Sequence, residues 1–339
     1  MMNGETALIV TAMKNEGPYI LEWVAHHMAI GFDRFLVLTN DCDDGTDRIL
    51  DRLSKLIELA HAPNPKSLFH DRGNWQVMAF RYASYFNIYR DAGWIYFTDV
   101  DEFVHVHVGD KTLDALYEAA GGFDVISFTS VPYGSNGVKK MVDKPVMSQF
   151  TRQTLDYDAM RAADDRSQNA IKSMFHNRIR FSVRRNHRPR LAGFSETGYR
   201  WVDGSGTQFS AEWTDGKSKA ISPLDTCNLA QFNHYAIRSA EGFLVKVDRG
   251  DVAGVPRLDD DRRLVYWRSY DKDGTKNTTY AKLLPKAQEI LETLMADPEI
   301  NALHKNAVAI HQAKAMAIRA NPDMKGLLEG LGLKPLAGK

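Results

Sequence analysis

The chain has 339 residues, 44% of them hydrophobic and 25% charged, enough to bury one large core or two modest ones. Its 43 Lys and Arg balance its 43 Asp and Glu, so no net field draws it to nucleic acid or to an anionic membrane. With only Cys42 and Cys227 available for a bridge, a reducing, cytoplasmic setting is expected, and no apolar run nears the roughly 18 residues that cross a bilayer.

The first residues, MMNGETALIVTAMKNEG, lack a basic region followed by an apolar stretch and a small-residue cleavage site, and are read as mature sequence. TALIVTAM (6–13) is a short apolar run of strand type. After the breaker NEGP, YILEWVAHHMAIG repeats apolar residues at helical spacing and stops at Gly31. DRFLVLTN (33–40) predicts a second strand, ended by the turn residues DCDDG, and TDRILDRLSKL a second helix. This alternation predicts a parallel sheet covered by helices. HAPNPKSLFHDRGN (61–74) reads as a loop, WQVMAFRYASYFNIYRDAG as one long helix, and FDVISFTSVPYG (123–134) as a strand. Between about 135 and 230 the pattern is mixed. From about 279 onward two helices are expected, divided near ADPE.

WIYFTDVDEFV (94–104) is an apolar strand that ends in carboxylates. In open α/β sheets ligands bind beyond the carboxyl ends of the strands, so Asp99 and Asp101 arrive at the expected ligand edge. Side chains two apart on an extended segment face the same way, and two adjacent carboxylates repel unless a cation or proton lies between them. Mg²⁺ or Mn²⁺ suits such a pair, because it fills its remaining positions with phosphate oxygens and water. A solvated strand end, with Glu102 in a turn, accounts for the same residues without a ligand.

Four segments, TAMKNEGPYILEWVAHHMAIGFDRFLVLTNDCDDGTDRIL, WQVMAFRYA, WIYFTDVDEF and NHYAIRSAEGFLVKVDRG, occur in an order that resembles family 2-type glycosyltransferases of GT-A fold, in the branch related to family 92. The resemblance implies an α/β, Rossmann-type, mostly parallel sheet flanked by helices. It makes residues 1–250 the catalytic domain and residues 251–339 a mainly helical C-terminal extension. It puts Thr11, Ala12, Lys14 and Glu16 around the nucleotide base and Asn40 and Asp41 beside base and ribose. Arg72, Gln76, Asp99 and Val100 then face the sugar nucleotide. Asp99, Asp101 and His234 are the implied metal ligands, and Lys246 and Arg249 the implied cations beside the departing diphosphate. Helix capping or turn formation is the competing account for Glu16, Asp44 and Asn74, plain exposure for Gln76, a hydrogen-bonded imidazole for His234, and a surface ion pair for Lys246 and Arg249.

The activity implied is transfer of a single sugar from a nucleotide-diphosphate sugar, UDP-linked, to a hydroxyl of a glycan or glycolipid, with inversion and with Mn²⁺ or Mg²⁺, in surface glycan or glycolipid synthesis. Inversion needs a carboxylate base; Glu196 in GFSETG and Asp203 in WVDGSG are the candidates, each also readable as an ordinary loop residue. The six arginines of NRIRFSVRRNHRPR (177–190) suit an anionic acceptor or lipid head group, or a solvated hairpin, and His187 stands where relatives have a His near the acceptor. The C-terminal helices are open to packing on the core, to a homodimer, or to peripheral contact at the inner face of a membrane. The rival readings are a non-catalytic sugar-nucleotide-binding or scaffold protein and a sugar nucleotidyltransferase. The latter is disfavoured because TAMKNEGPY has one Gly and one Lys where a Gly-rich basic loop is needed.

Overall fold

The structure, a computed structural model, describes residues 2–68, 74–155, 162–163, 170–183, 187–215, 226–250 and 260–336. Its strands are β1 (Ala7–Met13), β2 (Arg34–Thr39), β3 (Leu59–Pro63), β4 (Trp94–Phe97), β5 (Glu102–Val106), β6 (Val125–Pro132), β7 (Arg152–Gln153), β8 (Ile171–His176), β9 (Trp201–Asp203), β10 (Ala230–His234) and β11 (Thr275–Lys276). Its helices are α1 (Ile20–Ile30), α2 (Thr46–Leu53), α3 (Trp75–Ala83), α4 (Asn87–Arg90), α5 (Leu113–Ala119), α6 (Val146–Gln149), α7 (Ala211–Asp215), α8 (Ala240–Asp248), α9 (Asp260–Tyr270), α10 (Pro285–Ala296), α11 (Pro298–Ala320) and α12 (Lys325–Gly330).

Among the described residues one sheet runs β3-β2-β1-β4-β8-β6-β10-β5, with β9 added beside β6. β1, β2, β3 and β4 are mutually parallel, as are β6, β9 and β10, whereas β8 and β5 run against their neighbours. The α/β class and the mostly parallel sheet flanked by helices are therefore as expected. Alternation along β1 explains the two-sided core. Ile9 and Met13 join Trp23, Val24 and Phe103 on one face, and Leu8, Val10 and Ala12 join Phe80, Phe97 and Phe175 on the other.

Two local expectations are corrected. The helix expected through residues 75–93 breaks after Ala83, because Phe86 turns to an extended backbone (φ −83°, ψ 140°) and packs inward while Tyr85 stays in solvent. The loop expected from residue 61 begins later, since Leu59–Pro63 pairs with β2 as a strand; its length and its Pro suit the edge position it takes. Other boundaries follow local chemistry. Helix α1 stops where Gly31 takes φ 109° and its N–H bonds the carbonyls of His27 and Met28. Asp297 separates α10 from α11 by capping the N–H groups of Glu299 and Ile300.

The C-terminal helices share the first core. Helix α10 packs on α1, α11 packs on α2 and α8, and Leu294, Ile300, Leu303 and Ala307 lie in one apolar cluster with Ile9 and Trp23. The domain boundary placed after residue 250 adjoins residues 251–259, outside the described residues.

The core also holds histidines. The His26 ring lies 4.8 Å from that of His105 and 5.2 Å from that of His27. Burial lowers His26 to about 4 and takes His27 and His105 well below the ordinary imidazole value. Burial likewise lowers His187 and His234 to about 4. As pH falls from 6.5, the unfolded chain binds protons on these histidines that the folded chain refuses, so stability drops. Glu22 and Glu102, raised by burial to about 7, work in the opposite sense, but five histidines outweigh two carboxyls. The midpoint of thermal unfolding is expected to be lower at pH 5 than at pH 7 by about 5 °C or more. An equal or higher midpoint at pH 5 would contradict this.

Candidate active site

Strand direction collects the polar residues at one edge. β1, β2, β4, β6 and β10 all end there, at Met13, Thr39, Phe97, Pro132 and His234, and the antiparallel β5 and β8 begin there, at Glu102 and Ile171. The segments 14–17, 40–45 and 98–101 and residues Lys172 and His234 thus converge although they are far apart in sequence.

The strand parity expected of Asp99 and Asp101 does not hold, because the backbone turns between Thr98 and Asp101. Glu102 fixes that turn. Its Oε2 accepts from Thr98 Oγ1 at 2.8 Å, from the Asp99 N–H at 3.0 Å and from Lys172 Nζ at 2.9 Å. Lys172 Nζ also donates to Asp99 Oδ2 at 2.7 Å, and Gln76 Nε2 donates to Asp99 Oδ1 at 2.9 Å. Lys172 is fully buried. Burial works against its charge, but the carboxylates of Asp99 and Glu102 prevail and raise its pKa above the ordinary lysine value. The Asp99 side chain keeps 33% exposure, so this carboxylate borders the open edge.

Asp101 has other partners. Lys246 Nζ, carried by α8, donates to Asp101 Oδ2 at 2.7 Å and to the Ala236 carbonyl at 2.6 Å. His234 Nε2 stands 3.8 Å from Asp101 Oδ1, too far for a hydrogen bond, and its ring meets Tyr270 edge-on at 5.4 Å. Burial disfavours the Asp101 charge, yet Lys246, with His234 and Arg238, holds its carboxyl well below the usual carboxylate range. Because burial keeps His234 neutral at neutral pH, its ring nitrogen has a lone pair to offer.

Among the described residues no three His, Cys, Asp or Glu side chains group to hold an ion. Asp101 Oδ1 and His234 Nε2 nevertheless form a hard-plus-imidazole donor pair. Such a pair suits a Mg²⁺ or Mn²⁺ ion that completes its coordination with phosphate oxygens. Asp99 is engaged by Lys172 and Gln76.

A third cluster adjoins the first two. Glu16, 4% exposed, pairs with Arg238 Nη1 at 3.0 Å and with Arg249. Arg249 Nη1 donates to the carbonyls of Lys14 at 2.6 Å and Asn15 at 2.8 Å. Arg238 lies over the Tyr19 ring at 3.5 Å and reaches the Val100 carbonyl at 3.5 Å. Thr11 and Ala12 are buried in β1, and the Thr11 hydroxyl has no hydrogen-bond partner among the described residues. Asn40 is buried and donates to exposed Asp41 at 3.1 Å. Asp44 follows the turn-and-cap reading, accepting from the Thr46 N–H at 2.9 Å.

Of the two base candidates, Glu196 is exposed at the end of the turn Phe194–Glu196, whose Ser195 N–H donates to Asp215 at 3.1 Å. Asp203 is buried, and its carboxylate closes a turn by accepting from the N–H groups of Ser205 at 2.8 Å and Thr207 at 3.0 Å. Arg72 lies outside the described residues, as do Arg184 and Arg185 of the arginine cluster. Of that cluster, Arg178 pairs with Asp124 and Arg188 stacks on Trp213 at 4.5 Å. His187 Nδ1 bonds the Ile171 carbonyl at 2.9 Å beside Lys172. Lys172 and Arg238 were not singled out from the sequence. The signal for Lys172 was a charge inside the apolar run IKSMFH, which a buried strand keeps only if the charge is paired.

The model of glycosyltransferase family 92 matches residues 13–195. The chain is 25% identical over 152 residues to a glycosyltransferase family 92 protein of Ricinus communis, covering 42% of this chain and 25% of that protein. It is 24% identical over 151 residues to another from Oryza sativa subsp. japonica, covering 42% of this chain and 24% of that protein. The chain thus spans about a quarter of the length of the curated relatives it matches. Among solved structures it is similar to S. aureus TarS 1–349, at 14% identity and a TM-score of 0.31, covering 96% of this chain and 90% of that one. It is also similar to glucosyl-3-phosphoglycerate synthase from Mycobacterium tuberculosis, solved with Mn²⁺, uridine-diphosphate-glucose and phosphoglyceric acid, at 13% identity and a TM-score of 0.27, covering 52% of this chain and 58% of that one.

Proposed function

The chain belongs to glycosyltransferase family 92, and from that premise we propose that it moves a single sugar from a nucleotide-diphosphate sugar to a hydroxyl of a glycan or glycolipid, with Mn²⁺ or Mg²⁺. The observation that carries this reading is the charge balance at the strand edge. Four carboxylates, Glu16, Asp99, Asp101 and Glu102, are matched there by four cations, Lys172, Arg238, Lys246 and Arg249. A doubly negative diphosphate entering a neutral cluster needs further positive charge, and Asp101 with His234 is the donor pair that would hold it. A divalent ion bound there supplies Lewis-acid stabilisation of the leaving diphosphate.

The chain's own residues do the rest. Lys246, on the last turns of α8, stands beside the place of the diphosphate and stabilises its growing charge. Arg249 and Arg238 hold the loop of Lys14, Asn15 and Glu16, the wall for the base, against the same helix. Gln76 and Lys172 orient the Asp99 carboxylate toward the donor. UDP as the nucleotide, inversion, surface glycan or glycolipid synthesis and a cytoplasmic location peripheral to the membrane are proposed on the resemblance to family 2 and family 92 enzymes. Glu196 is kept as the proposed base for the acceptor's proton, whereas the Asp203 carboxylate is taken up by the N–H groups of its own turn. Among the described residues no helix is long and apolar enough to cross a membrane.

Incubating the protein with a panel of UDP- and GDP-sugars and Mn²⁺ is expected to release nucleotide slowly from one UDP-sugar, with a chelator stopping the release. Release from none of them would contradict the proposal and favour the scaffold reading.

A further inference from the structure

The long helix α11 lies beyond the residues that the family matches, yet it reaches the loops after β1 and β2. His311 Nε2 donates to Asp44 Oδ2 at 2.7 Å, with His311 2% exposed and Asp44 fully buried. The same carboxylate oxygen accepts from the Gly17 N–H at 3.0 Å, and Thr46 Oγ1 accepts from the Glu16 N–H at 2.8 Å. Ala307, one turn earlier on α11, sits so close to Gly17 that a Cβ at that position would lie 2.6 Å from the Ala307 Cβ. Farther along, Lys314 Nζ donates to Asp43 Oδ1 at 2.5 Å, and Asp43 is clasped by Asn15 through bonds of 2.6 and 2.9 Å.

The loop so gripped is the one whose Glu16 pairs with Arg238 and Arg249, next to the diphosphate cluster. Asn15 (φ 51°) and Asp41 (φ 46°) hold left-handed backbone conformations in these loops, which a non-glycine residue keeps only when its surroundings impose them. Burial alone would raise the Asp44 carboxyl, but the hydrogen bond from His311 and the N–H groups around it bring it down to about 2, so the acceptor of the latch stays ionised.

We propose that His311 is a positioning residue for the donor, locking the loops after β1 and β2 into one nucleotide-binding wall through Asp44. Helix α11 is then a working part of the site. This rests on the donor reading above, and the test separates the two. His311→Leu removes the donor group at similar volume, and His311→Gln keeps an N–H in reach of Asp44. In the nucleotide-free protein, His311→Leu is expected to speed hydrogen exchange at the Glu16 and Gly17 amides at least about tenfold. With UDP-sugar and Mn²⁺ it is expected to raise the donor KM about tenfold while kcat stays within about threefold, and His311→Gln is expected to restore both readouts. Lys314→Met, at the partly exposed ion pair, gives the same pattern at about two- to threefold should His311→Leu fail to fold. Unchanged exchange, a loss confined to kcat, or no rescue by Gln overturns the proposal. A wild-type protein that binds no nucleotide removes the donor reading, and the positioning role with it.

Discussion

Lys172→Met is expected to lower the unfolding free energy by about 3–5 kcal/mol, the cost of leaving buried charge without its partner. The ammonium has no route to water, and it is the group that holds Asp99 and Glu102 together at 2.7 and 2.9 Å. Asp99, a third exposed, can turn to solvent once Lys172 is gone; Glu102, 4% exposed and raised by burial to about 7 even beside Lys172, cannot, and is left either charged without a partner or obliged to take up a proton. A second substitution, Glu102→Gln, should therefore recover part of the loss by removing the stranded charge, and the double variant should be more stable than Lys172→Met alone. Urea unfolding of the two variants reads both effects. A loss under about 1 kcal/mol in Lys172→Met, or no recovery in the double variant, would contradict the buried ion cluster.

Asp101→Ala is expected to leave the fold intact and to remove function. Its partner Lys246 keeps 27% side-chain exposure and can be hydrated in the variant, so the stability cost is small beside that of Lys172→Met. The site loses the carboxylate that faces His234 and sets Lys246 in place. Turnover of the sugar nucleotide is expected to fall at least about 100-fold, measured as kcat/KM. A variant within tenfold of the parent protein would show that Asp101 is a structural carboxylate only.

Much of this was legible in the chain because hydrophobic period and turn residues act locally. TALIVTAM, DRFLVLTN and FDVISFTSVPYG became β1, β2 and β6, and Gly31 ended α1 as its left-handed backbone requires. The candidate ligand edge was legible as well, since a strand ending in DVDE in an α/β pattern can deliver its carboxylates to one place only. What local pattern does not carry is who faces whom. Strand parity puts Asp99 and Asp101 on one face, and the turn fixed by Glu102 pairs one with Lys172 and the other with Lys246. Lys172 enters from an antiparallel strand in the stretch of mixed pattern, so its pairing depends on a sheet order that the sequence does not spell out. Asp203 reads as a free carboxylate in a Gly-rich loop, and only the folded turn shows it taken up by the N–H groups of Ser205 and Thr207. The grip of α11 on Asp44 joins residues 267 apart in the chain, a contact for which no local signal exists.

The most direct test is calorimetric titration of UDP into the metal-free protein and into Asp101→Ala, each with and without Mn²⁺. Binding that requires Mn²⁺ in the parent protein and is lost in the variant is expected. UDP binding that ignores the metal, or that survives the substitution unchanged, would contradict it.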